Sequence, residues 1–187
     1  MLKLVTSDSF ERNNYYDGQV LTASDFSNEQ KYHNAKRKLL NRCLHGSRIA
    51  CGLNVRLIED VAILEEGMAL DCCGREIFVP DSIKVEIPEF DDSCYLLLQY
   101  SEREGKPFPI PNPGTTSDDQ GLQYTRTIEC FRICWGHENP IARHERRDTH
   151  WVCCEQDHPI PLARLMVRRD SPIIDERFFD AIREHSS

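Results

Sequence analysis

The feature that most constrains this chain is a change of hydrophobic period at Gly46. Before it, "TASDFSNEQKYHNAKRKLLNRCLHG" sets Phe26, Ala35, Leu39, Leu40, Cys43 and Leu44, with Tyr32 and His33, at helical spacing. That spacing predicts a helix from near Ser24 to near His45. Thr22 or Ser24 can cap its start, Asp25 and Glu29 suit the positive end of the helix dipole, and Lys36, Arg37, Lys38 and Arg42 suit the negative end. Gly46 supplies the left-handed residue that stops it. One side of this helix is expected to be buried, on its own domain or on a neighbouring copy.

After Gly46 the period falls to near two, the mark of strands. "RIACGLNVRLI" and "VAILEEGMALD" read as short strands, "REIFVPDSIKVEI" as another strand or a pair, and "CYLLLQYSE", "TRTIECFRICW", "WVCC" and "IPLARLMV" as later strands. The stretch "GKPFPIPNPGTTSDDQG" holds four prolines and three glycines, so it is expected not to continue a sheet ladder and to run as a surface loop. Residues 136–150 read as a polar connector. "DERFFDAIREH" reads as a short closing helix with Phe178, Phe179 and Ile182 on one side. The fold class expected is α+β: a mainly antiparallel β sandwich or barrel-like domain with an N-terminal helix and a short C-terminal helix. Residues 1–46 form the extended segment and helix, and 47–187 the β-rich domain, packed with the helix as one structural unit.

A composition of 40% hydrophobic and 29% charged residues over 187 positions suits a globular chain with a real core. The net charge of −8 argues against a phosphate-binding surface, so nucleic acid is not an expected partner. No stretch approaches the ~18 apolar residues of a membrane span. The start, "MLKLVTSDSFERNN", lacks a basic region followed by an apolar run, so synthesis in the cytoplasm without a secretion signal is expected. There the nine cysteines would be reduced, and their odd number leaves one unpaired in any intrachain scheme. The adjacent Cys72 and Cys73 are expected to be reduced hairpin residues, since neighbouring side chains in extended backbone diverge.

The residues that could carry chemistry are few. In "HWVCCEQDH", His150, Cys153, Cys154 and His158 could ligate zinc or form a thiol-redox module, with Cys130, Cys134 and His137 as a second cluster. The spacing lacks the two-residue gap that turns both sulfurs toward one ion, so core thiols and surface histidines are the expectation, with no metal and no cofactor. A Cys/His nucleophile pair has no recognisable context. The acidic pairs Asp91-Asp92 and Glu65-Glu66 read as solvated turn charge, and no glycine-rich phosphate loop occurs.

Residues 15–56, "YYDGQVLTASDFSNEQKYHNAKRKLLNRCLHGSRIACGLNVR", resemble a pattern found in proteins of phage-tail-like contractile injection systems. The matching positions are Tyr16, Gly18, Gln19, Leu21, Asp25 and Phe26, then Glu29, Gln30, Tyr32 and His33, then Arg37, Leu40, Leu44, His45 and Gly46, and Gly52, Leu53 and Val55. "EEGMALDCCGREIFVP" is similar to a hairpin of the same family through Gly67, Ala69, Leu70, Asp71, Gly74, Arg75 and Ile77. Where the common pattern has a second aromatic and a valine pair after the His-Gly step, this chain has "SRIA". The resemblance implies a structural, non-enzymatic component: a baseplate or tail-fibre attachment subunit that assembles with other baseplate, spike or fibre subunits. It also implies a possible homo-oligomer, a trimer if fibre-like, built in the cytoplasm and then part of the injection particle. The residues expected at the assembly interface are Phe26, Tyr32, His33, Leu39 and Leu40, with Tyr16 and Asp25 anchoring the entry to the helix.

Overall fold

The computed structural model describes residues 10–110, 121–138, 158–168 and 171–178. Its architecture is α+β, with mostly antiparallel strands, a curled half-barrel sheet, an N-terminal helix and a short C-terminal helix. Thr22 starts helix α1 (Ala23–Leu44): its side chain accepts from the Asp25 amide while the Asp25 side chain accepts from the Thr22 amide. This reciprocal cap satisfies two amides that have no partner inside the helix. At the other end Gly46, at φ +65°, turns its amide back to the carbonyls of Asn41 and Arg42. The helix therefore begins and ends where its sequence predicts, within a residue.

Residues 48–86 form three arms, each broken in two along one line. The arms are β1 (Arg48–Gly52) with β2 (Val55–Ile58), β3 (Val61–Leu64) with β4 (Gly67–Leu70), and β5 (Glu76–Val79) with β6 (Ile83–Glu86). One half of each arm joins the sheet β1-β4-β5 and the other half the sheet β2-β3-β6. What reads as two continuous strands in sequence is thus one bent hairpin, shared between sheets. The bend sits at Gly52 and Leu53, both left-handed at φ +62° and +56°, and facing them Glu66 and Gly67. Hydrogen bonds from Leu53 N to Glu66 O (3.0 Å) and from Glu65 N to Asn54 O (2.8 Å) carry the pairing across it. The left-handed conformation at Leu53 costs of order 1–3 kcal/mol. Its side chain is fully buried, which offsets a cost of that size.

A four-stranded antiparallel sheet lies against this curl, in the order β10 (Thr127–Gly136), β7 (Ser93–Glu104), β11 (Ile160–Arg168), β12 (Ser171–Ile174). Five consecutive residues of β7, Cys94 to Leu98, are buried, which requires cover on both faces. Leu96, Leu98 and Tyr100 face a core shared with Leu53, Leu64 and Ile77. On the other side Tyr95 meets the Phe178 ring of the C-terminal helix edge to face, centroids 5.3 Å apart. Of the three apolar residues expected on that helix, Phe179 and Ile182 lie outside the described residues, as does "WVCC". Strand β12, which carries Pro172, lies on the edge of its sheet, where a residue without an amide hydrogen is tolerated.

The expectation that the proline-rich stretch cannot continue a ladder is overturned at Pro107–Ile110, while residues 111–120 lie outside the described residues. β8 (Pro107–Ile110) pairs antiparallel with β9 (Gly121–Tyr124), extending the β7–β10 hairpin outward beyond a link from Gly105 N to Arg126 O. Pro107 and Pro109 are two residues apart. In a strand both therefore turn the same edge, and Phe108 and Ile110 supply the amides for the other.

Candidate functional site

No residue of α1 is buried within the chain. Its predicted apolar stripe divides in two. Tyr32 and Leu39 are half-buried, whereas Phe26 and Leu40 are each 56% exposed and Leu44 is 70% exposed. The segment before the helix folds back along it. Asn13 donates to the Asp25 carbonyl at 2.6 Å, the Tyr15 hydroxyl to Glu29 Oε2 at 3.1 Å, and Lys36 Nζ lies 4.4 Å from the centroid of the Phe10 ring. Glu29 also holds His33 Nε2 at 3.1 Å. This backing leaves Tyr16 72% and Val20 85% exposed at the helix entry, next to Leu21 and Phe26.

Of the seven residues expected at an assembly surface, Phe26, His33 and Leu40 share an exposed face of the helix, and Tyr16 is exposed beyond its start. Tyr16 and Gln19 bond each other, Tyr16 N to Gln19 Oε1 at 3.3 Å and Gln19 N to Tyr16 O at 3.2 Å. Asp25 belongs to the cap, its carboxylate accepting from Thr22 N at 2.8 Å and Thr22 Oγ1 at 2.6 Å. The Thr22 hydroxyl and then its amide hold this carboxyl below the ordinary range.

The far end of the helix rests on the turn 71–76, a contact that no sequence reading placed there. Asn41 Nδ2 donates to Gly74 O at 2.9 Å and Glu76 Oε1 at 2.8 Å, Arg42 Nη1 to Cys73 O at 3.0 Å, and Arg37 pairs with Glu76 at 3.1 Å. The turn is organised from within by Asp71, 1% exposed, which accepts from the amides of Cys73 (2.9 Å) and Arg75 (2.8 Å) and pairs with the Arg75 guanidinium. That guanidinium stacks 4.6 Å from the centre of the Tyr100 ring, so the turn is tied to the core strand β7. Burial, then the hydrogen bond to Glu102 and the nearby Glu129, push the Tyr100 phenol well above its ordinary value. Gly74 is left-handed at φ +76°, and a side-chain carbon there would overlap the Lys38 carbonyl. The family pattern picked out Arg37, Asp71, Gly74 and Arg75 without a reason. The structure supplies one: together they form the seat of the helix.

The expectation that Cys72 and Cys73 are both reduced is corrected. Cys73 is disulfide-bonded, while Cys43, Cys51, Cys94, Cys130 and Cys134 are free thiols. Divergence of neighbouring side chains disfavours a bond between the pair; it says nothing against a bond from one of them to another cysteine. Cys130, Cys134 and His137 do not form a cluster, and among the described residues no three His, Cys, Asp or Glu side chains gather as metal ligands. Cys130 and Cys134 are four residues apart on extended β10, which separates them by ~13 Å. His158 is half-buried, and His150, Cys153 and Cys154 lie outside the described residues. Burial raises the thiol of Cys94 to about 11, the reverse of what a nucleophile needs. Glu65 pairs with Arg56 at 2.9 Å and Glu66 accepts from Ser82 at 2.9 Å, so this acidic pair is engaged in fastening the bend.

No family model matches the chain, and no curated protein matches it. A chain from the TssK-TssF-TssG baseplate subcomplex of the type VI secretion system, solved by cryo-electron microscopy, superposes with a TM-score of 0.52. The alignment covers 90% of this chain and 61% of that one at 11% identity. The fold is shared with a type VI baseplate chain. This chain spans about three fifths of the length of that relative. A crystal structure of TssK superposes at a TM-score of 0.47 (12% identity, 88% of this chain, 40% of that one). A chain of the type VI baseplate complex gives 0.44 (12% identity, 89% and 58%). These two scores fall below what a shared fold requires. No described helix is long and apolar enough to cross a membrane.

Proposed function

We propose that this chain is a structural subunit of a contractile injection particle, of the baseplate or fibre-attachment kind, and that it acts by protein–protein assembly and not by catalysis. The observation that carries this reading is the exposed helix: a 22-residue α1, anchored at one end, that buries none of its residues within the chain. A helix this long and amphipathic gains most of its stability from packing an apolar face, so the exposed Phe26, Leu40 and Leu44 call for a partner. The fold shared with a baseplate chain supports the choice of partner by analogy. In this reading the segment and helix of 1–46 and the β-rich 47–187 work as one unit, with the helix face as the attachment surface and Tyr16 and Asp25 fixing its entry. No cofactor is required.

The test is co-expression of the tagged chain with baseplate, spike and fibre subunits of an injection particle, followed by size-exclusion chromatography with light scattering. A complex of fixed stoichiometry that Phe26→Asp and Leu40→Asp abolish supports the reading. Failure to form a complex with any of these subunits, or with another copy of itself, would overturn it.

A further inference from the structure

We draw no further inference here: the strongest candidate, the exposed face of helix α1 that carries Phe26, Leu40 and Leu44, belongs to the attachment surface already described, and nothing in the structure shows what covers it.

Discussion

Asn41 donates its side-chain amide to the Gly74 carbonyl at 2.9 Å, so the last turns of α1 are held by a turn 33 residues further along the chain. The approach is close because Gly74 has no side chain where the Lys38 carbonyl sits, and its φ of +76° is one that L side chains rarely adopt. Gly74→Ala is expected to cost about 2 to 4 kcal/mol through left-handed strain and overlap. Asn41→Ala should cost about 1 kcal/mol for each hydrogen bond lost. Both should speed amide hydrogen exchange in Arg37–Leu44 more than in β7. Unchanged exchange in the helix would show that the seat does not hold it.

Asp71 is a buried carboxylate with two backbone amides and one guanidinium around it. Asp71→Ala takes the Asp71 carboxylate from the Arg75 guanidinium, itself only 18% exposed, and the acceptor from two amides, and is expected to destabilise by about 3 to 5 kcal/mol. Asp71→Asn keeps an acceptor for the amides and should lose less. Urea denaturation orders the two variants. An Asn variant as unstable as the Ala variant would mean that charge, and not the organisation of the turn, dominates.

At the bend, Gly52 and Gly67 are paired across β1 and β4, and a side-chain carbon on either would overlap the opposite backbone: Glu66 O for Gly52, Cys51 O for Gly67. Backbone cannot move aside as a flexible side chain can. Gly52→Ala is expected to cost about 3 to 5 kcal/mol, the sum of left-handed strain and overpacking. Gly18 is also left-handed, at φ +86°, but has nothing within 4 Å of the added carbon, so Gly18→Ala should cost about 1 kcal/mol. Equal melting temperatures for the two variants would refute the close approach as the cause.

The helix, its cap and its end at Gly46 were legible because they depend on neighbours in sequence: Thr22 with Asp25, and Gly46 with Asn41 and Arg42. The α+β class was legible from the change of period. The line of breaks across three arms was not. Its cause is the meeting of Gly52 with Gly67 across a hairpin, and either glycine alone reads as an ordinary turn. β8 was missed because prolines were counted without regard to parity; two prolines two residues apart spare one edge of a strand. The helix seat was partly legible. Asp71 and Gly74 stand out in the hairpin pattern, but nothing local to them points to Asn41. The disulfide at Cys73 was invisible for the same reason, since nothing local to Cys73 points to a partner.

The cap of α1 gives a pH dependence of known sign. The Thr22 hydroxyl and amide both donate to the Asp25 carboxylate, and together they lower its pKa in the folded chain below the ordinary value of 3.8. A group depressed on folding stabilises fully at pH above its unfolded pKa. That contribution is lost as pH falls through the lower, folded pKa. The cap is therefore intact at neutral pH and through pH 5, and weakens only in more acidic solution. Protonation removes the negative charge from the positive end of the helix and turns an acceptor for two donors into a competing donor. An NMR titration of the Asp25 side-chain carbon should show a midpoint below the ordinary carboxylate range, and exchange of the Thr22 and Asp25 amides should rise across the same interval. In Thr22→Ala, which keeps the backbone amide but loses the hydroxyl, the midpoint should move back toward 3.8, because the hydroxyl bond is the larger cause. A wild-type midpoint at or above 3.8 would mean that the cap is not closed in solution.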